Sequence, residues 1–440
     1  MDFAIDASVL SKATRGPILT SLKRLSNRTP AQWLPPGHVG LRGELPTKWP
    51  NLLQAPVGEV IDSIAVSAPQ HCMDGWAFVS RSLSCLLAGD LHAARHLAYY
   101  AQLRSGISIL ANMGIGISNG VNFAITSPTT IERVDPERSG SNTSSGLGTH
   151  AAVWEILLAW SSSGNTASRL LDLIRVRGSN LSTCISTLWP GFSPTTSANS
   201  LIAAWGADLR RGAFDHRQRN ISSYAPQALN PLSQRITWEL DFVEELWNLF
   251  EPSTGPNFDK LDRHLLRSIF WKQHDLVSSS PRDTGQLSIY YKFLPAQVAA
   301  IADQDFLLGK TEPRTPMLLT LASATRSPAL PTEMISRALL LLRTATALTY
   351  ENLISAGVNC ANGELRPWLD KLAIQRGYWK PGAALVNTSD LYTDVSDALT
   401  DLASSKPNDP ACLNDWLSKN PKGIPTITEM ERIGVWSLSG

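Results

Sequence analysis

Apolar residues recur at three- and four-residue spacing over most of this chain. In residues 74–89, Trp76, Val79, Leu83, Leu86 and Leu87 make one stripe, and Gly89 followed by Asp90 marks a stop and a new start. The next helix is expected over residues 91–112, with Leu97, Tyr100, Leu103, Ile107 and Leu110 on one side and Gly114 at its end. Further helical patterns occupy residues 150–160, 167–176, 198–211, 234–250, 261–276, 295–308, 334–357 and 365–379. A period of two is rarer. Residues 114–125, where glycines flank alternating Val121, Phe123 and Ile125, predict a turn and β-ribbon, and residues 287–293 (LSIYYKF) predict a strand. Residues 59–68 (EVIDSIAVSA) read as a β element or a linker.

Punctuation divides the chain into three. Residues 1–70 carry a short helix near 6–25 and a crossing interrupted by Pro30, Pro35, Pro36, Pro46 and Pro50, which cannot be continuous helix. This segment is expected to be an arm wrapped on the body. Residues 71–230 form a helical core, and residues 231–440 a second helical region with a C-terminal tail rich in Pro, Asn, Lys and Trp. The fold class is therefore mainly α, a multi-helix core with minor β-ribbon elements. The serine- and glycine-rich segment 127–148 ends without the lysine of a phosphate-binding P-loop, so it reads as a flexible loop with Thr149 capping the following helix.

Composition narrows the partners. With 440 residues, 43% of them hydrophobic and 18% charged, the chain is long enough for two or three domains and too apolar to be disordered. Its 14 tryptophans favour helix packing through aromatic anchors or an interface. A formal charge of +1 gives no overall field for nucleic acid or an anionic membrane, so any such contact must be local. Cys72, Cys85, Cys184, Cys360 and Cys412 have no CxxC spacing, which implies neither a zinc site nor a disulfide framework and suits a cytoplasmic location. The start of the chain lacks a secretory pattern. The apolar run at Leu339–Leu342 is interrupted by Arg337 and Arg343, so it predicts a buried helix and not a membrane span.

Candidate chemistry concentrates in residues 208–226, DLRRGAFDHRQRNISSYAP, which holds four arginines, one histidine and two aspartates. Two spacings stand out there, Arg211-x4-His216 and Arg219-Asn220-x3-Tyr224. In these the chain resembles the HEPN superfamily of all-helical domains, whose Arg-x(4-6)-His motif commonly has Asn directly after the Arg. The upstream helix HLAYYAQLRSGISILANMGIGI, residues 96–117, is similar to a helix of HEPN-like and YaaC-like proteins, and the likeness spans about residues 74–224. It implies a metal-independent ribonuclease site across a homodimer, hence RNA-linked stress or antiviral (phage) defence, with no cofactor and no metal. Tyr224 stands where the family has histidine, and the Arg211–His216 pair lacks the asparagine. In the first arrangement Arg219 would hold a phosphate and Asn220 orient it, and Tyr224 would be a poor base at neutral pH. In the second, His216 would act as acid or base.

A plainer reading stands beside both. Asp215 lies four residues before Arg219 and Asp208 three before Arg211, so ordinary pairing along a helix would absorb these charges, and Tyr224 would pack at a helix end. The chain would then be a non-enzymatic scaffold or accessory subunit with protein partners. Elsewhere, His92 and His96 share a helix face without the intervening carboxylate of a HExxH site, and are expected to be a solvated or packed pair. The basic helix containing Arg263, His264, Arg267, Lys272 and His274, interleaved with Phe270 and Trp271, offers a second RNA-facing surface or a snorkelling face.

Overall fold

The computed structural model describes residues 5–26, 33–41, 45–118, 120–135, 146–188, 198–224, 236–253, 256–277, 284–358, 365–382, 389–407, 409, 413–420 and 422–439. The chain is mainly α-helical with a minor antiparallel sheet. In order, α1 (Ala7–Ser11), α2 (Gly16–Ser26) and α3 (Trp49–Gln54) precede the long α4 (Val57–Leu87) and α5 (Leu91–Asn112). Strands β1 (Ile115–Ser118), β2 (Val121–Ser127) and β3 (Thr130–Arg133) follow as a meander, with Ile115 opposite Ala124 and Ile125 opposite Ile131. Then come α6 (Thr149–Ser161), α7 (Gly164–Leu173), α8 (Leu181–Leu188), α9 (Ala198–Ala204) and α10 (Gly212–Tyr224). The remainder holds α11 (Ile236–Leu249), α12 (Asp259–Val277), α13 (Thr284–Tyr291), α14 (Ala296–Ala299), α15 (Gln304–Leu307), α16 (Met317–Ala322) and α17 (Pro331–Ser355), with shorter helices to residue 439.

The centre is built from α4, α5 and α17. Gly89, at φ +82°, makes the tight reversal that lays α5 back on α4. Helix α17 then packs on both, so a segment from late in the chain lies at the middle of the fold. Small residues let the backbones approach. A Cβ on Gly75 would sit 2.7 Å from Leu342 Cδ2, and one on Gly106 2.7 Å from Val153 Cγ1. Hydrogen bonds then fix register, with Trp76 Nε1 donating to Thr346 Oγ1 (3.0 Å) and Asn112 Nδ2 to Thr349 Oγ1 (2.9 Å). One continuous apolar core joins residues from all three segments marked by sequence punctuation, and α4 runs without a break across position 70.

Several expectations are corrected. Residues 59–68 are helical, part of α4, because Val60, Ile61, Ile64, Ala65 and Ala68 are all buried at helical spacing and tertiary burial overrides their β-branched preference. Residues 287–293 are not a strand. Helix α13 buries Leu287 and Tyr291, four apart, and leaves Ile289 and Phe293 exposed. The single helix near 6–25 is two, because the segment between them is tied to the sheet, Thr14 N donating to Ile125 O at 3.0 Å. The stretch 198–211 breaks at Gly206 (φ +105°), and 295–308 splits where Asp303 caps α15 by accepting from Phe306 N. Helix α5 is buried nearly all round instead of on one side, and Leu97 and Tyr100 are among its less buried positions. Residues 130–133 of the expected loop are strand β3, Thr149 is the first residue of α6 with Gly148 at the cap, and the serine-rich residues 136–145 lie outside the described residues.

The run at Leu339–Leu342 is a buried helix, and its flanking arginines are buried with it. Arg343 Nε and Nη2 donate to the two oxygens of Asp262 on α12, both at 2.8 Å, and Arg337 Nε and Nη2 meet Asp215 on α10 at 2.7 and 2.9 Å. All four side chains are at most 3% exposed. Among the described residues no helix is long and apolar enough to cross a membrane.

Removing one partner strands a charge in the core, so Asp262→Ala is expected to lower stability by about 3–5 kcal/mol. The double replacement Asp262→Leu with Arg343→Met should recover most of that loss. Denaturant unfolding midpoints decide, and a single mutant within about 1 kcal/mol of the parent would mean that the pair does not hold α12 on α17.

Candidate functional site

The site is set by how α10 lies on α5 and α6. Asp208 accepts from Arg210 N (3.0 Å) and pairs with the Arg210 side chain, starting the short turn that leads into the helix. Gly212 follows, pressed against Trp154 of α6, where a Cβ would stand 2.1 Å from the indole Cδ2. Asp215 then turns inward to Arg337, and with that residue pinned, His216 and Arg219 project towards α5 and α6 from adjacent turns.

Three imidazoles and two phenols gather there. The His150 and His216 rings stack at 4.8 Å with a 4° interplanar angle, and Tyr99 stacks on His216 at 5.3 Å. The Tyr99 hydroxyl accepts from Trp154 Nε1 (3.3 Å) and lies 3.0 Å from His150 Nδ1. Since indole can only donate, the arrangement that satisfies every group has Tyr99 donating to His150 Nδ1, which puts the His150 proton on Nε2. His96 Nδ1 lies 2.6 Å from Ser223 Oγ, whose single hydrogen goes to Arg219 O (3.0 Å), so His96 is the donor in that contact. Arg219 donates to the Tyr100 hydroxyl and to Asn220 Oδ1 (2.9 Å), and its guanidinium lies over the Tyr100 ring at 5.1 Å. The Phe78 ring stacks on that of Tyr100 at 5.5 Å.

Beyond Tyr100 lies a pocket of about 590 Å³ lined by α4, α5, β1 and Leu34, Gly40, Leu45 and Thr47 of the N-terminal crossing, reaching His150 and Thr149. Arg104 on its wall donates to His71 Nδ1 (3.0 Å) and stands 3.8 Å from Asp74. Among the described residues no carboxylate is within ion-pair distance of Arg219. A larger groove of about 820 Å³ elsewhere also holds arginines, but Arg15 and Arg169 both close on Glu351, at 2.9 and 3.0 Å.

Burial and the nearby guanidiniums keep the imidazoles neutral. Desolvation, then His216, Arg219 and Arg104, push His150 down to about 4, and desolvation followed by Arg219 lowers His216 and His96. His71 is pushed down to about 3 by burial and then by Arg104. The resulting surface is cationic at two points, carries neutral hydrogen-bonding rings between them, and suits an anion with several acceptor oxygens.

The structure splits the two motifs seen in the sequence and joins one part of each. His216 and Arg219 come together, with Asn220 beside them. Arg211 lies apart, its guanidinium 5.0 Å from the Phe214 ring, and Tyr224 ends α10 with 79% of its surface exposed, 6.0 Å from Arg219. The expected pairing along the helix is corrected as well. Asp215 pairs with Arg337 and Asp208 with Arg210, which leaves Arg219 without the acidic neighbour its spacing suggested. Tyr99, Tyr100, Arg104 and His150 were not singled out by spacing, although the first three lie in the helix that carries the family likeness. Of the basic residues on α12, His264, Arg267 and His274 are buried while Lys272 is exposed; Arg267 is 2% exposed, donates to the carbonyls of Glu312 and Arg314 (2.8 and 2.9 Å), and lies over the Trp271 and Phe306 rings.

Because His71 has a folded pKa of about 3 against an ordinary value near 6.5, the unfolded chain takes up its proton first as pH falls. Stability from this residue is complete above about pH 6.5 and is lost below it, by about 2 kcal/mol at pH 5. Unfolding free energies of the parent and His71→Gln at pH 7 and pH 5 test this, and an equal pH dependence in both proteins would remove His71 from the account. No family model, curated protein or solved structure matches this chain.

Proposed function

We propose that the chain is a HEPN-like RNA-binding protein that holds an RNA phosphodiester at Arg219, Asn220, His216 and His150, in RNA-linked stress or antiviral defence. The observation that carries this reading is Arg219, which has no carboxylate within ion-pair distance among the described residues and is hydrogen-bonded to Tyr100, a residue that, with His150 of the stacked imidazole pair, lines a half-open pocket. A planar guanidinium in that setting matches a phosphate's oxygens, and the imidazole and phenol groups add donors without adding negative charge. The family resemblance supplies RNA as the source of the phosphate, as well as the pathway and the homodimer.

Metal-independent cleavage is the second reading, and the His150–His216 stack favours it. Transphosphorylation of RNA needs one base and one acid. With both rings held neutral at pH 7, a base is at hand and the acid is lacking until a bound phosphate raises an imidazole pKa. Binding therefore ranks ahead of cutting.

Loss of the guanidinium removes charge-assisted contacts of about 1.5–3 kcal/mol, so Arg219→Ala should weaken binding of a single-stranded oligoribonucleotide about 10- to 100-fold. Arg211→Ala should leave it within a factor of two to three. Fluorescence anisotropy in EDTA over a salt series reads this, and gel analysis of the same mixtures reads cleavage, expected to vanish in His216→Ala if it occurs. An Arg219→Ala protein that binds RNA as the parent does, or a parent that binds none, would leave the scaffold role standing instead.

A further inference from the structure

The pocket behind the phosphate cluster has walls of a particular kind. Ile64, Val66, Leu103 and Ile107 give it aliphatic faces, and its described lining adds Ser67, Gln70 and Ser118, short neutral side chains able to donate and accept. An acyl chain would bury these polar groups without partners. A flat heterocycle with a polar edge would meet both kinds of wall. Asp74, at the same pocket, adds an acceptor suited to an exocyclic amine. The volume, about 590 Å³, falls in the range of about 300–1,000 Å³ typical of small-molecule sites.

Leu34, Gly40, Leu45 and Thr47 of the N-terminal crossing form part of the pocket wall, and the chain at residues 38–40 is held against α4. Val39 N donates to Glu59 Oε2 at 2.9 Å, Gly40 N to His38 Nδ1 at 3.0 Å, and a Cβ on Gly40 would fall 2.0 Å from Ser63 Oγ. At the other end Tyr100, Arg104 and His150 line the pocket and join it to the Arg219 cluster. The buried Nε of Arg219 makes no hydrogen bond, and that of Arg104, also without one, faces the Asp74 carboxylate at 3.8 Å.

We infer that this pocket receives the base of one nucleotide, turned out of a single strand, while the adjoining phosphate lies between Arg219 and Arg104. The inference rests on the RNA reading above and narrows it to unpaired RNA. A base held in a duplex is stacked and paired, so its faces and Watson–Crick edge are not available to the walls of a pocket. Ser67, one turn before His71 on α4, stands on the wall where a large side chain fills the slot without removing a charge.

The experiment compares the parent protein's affinity for a single-stranded oligoribonucleotide, the duplex of the same sequence, and an abasic strand of the same length. The intact single strand is expected to bind at least tenfold tighter than either of the others, and Ser67→Trp to bring it down to the abasic level. Equal affinity for intact, duplex and abasic RNA, with Arg219→Ala still weakening all three, would overturn the base pocket and leave the phosphate site intact. Absence of binding to every strand, or indifference to Arg219→Ala, would overturn the RNA reading itself and this inference with it. The comparison of strands on the parent protein decides even if Ser67→Trp does not fold.

Discussion

The geometry of the candidate site depends on one buried ion pair, Arg337 with Asp215. Its partners lie on α17 and α10, at 2.7 and 2.9 Å and out of contact with solvent. Successive residues on a helix point about 100° apart, so holding Asp215 against the core fixes the rotation of α10 about its own axis. His216 and Arg219 are then aimed at α5 and α6, and Gly212 admits the Trp154 ring that stops the helix sliding. Such pairs contribute little net stability compared with apolar packing, and specify orientation instead. Here the orientation specified is that of the residues with chemistry.

Electrostatics and packing act together in the cluster. Aromatic stacking holds the imidazoles face to face, which their charged forms would resist, and the guanidiniums of Arg219 and Arg104 reinforce neutrality. An arginine surrounded by neutral rings keeps its attraction for an anion. Two arginines of the larger groove, Arg15 and Arg169, are already paired with Glu351.

Much of the fold was legible in the chain because periodicity reports burial. The stripe through Trp76, Val79 and Leu83 and the apolar run between Arg337 and Arg343 both mark helices that are buried. Two of the errors share a cause. In residues 59–68 and 287–293 the alternation of β-branched and aromatic residues was read as local preference, whereas contacts from distant segments decided the outcome. The same limit applied to the site. Spacing found His216, Arg219 and Asn220 on one helix, but nothing local shows that Asp215 reaches across to Arg337, 122 residues on, or that His150 lies over His216.

The position of α17 has a consequence for how the molecule comes together. Helices α4 and α5 meet early in the chain, yet the polar groups between them, such as Asn112, find their partners on α17 some 237 residues later. Closing so long a loop is slow compared with forming a helical hairpin. A ribosome-bound chain therefore carries an apolar, half-satisfied hairpin through about half of its synthesis, until α17 emerges to cover it.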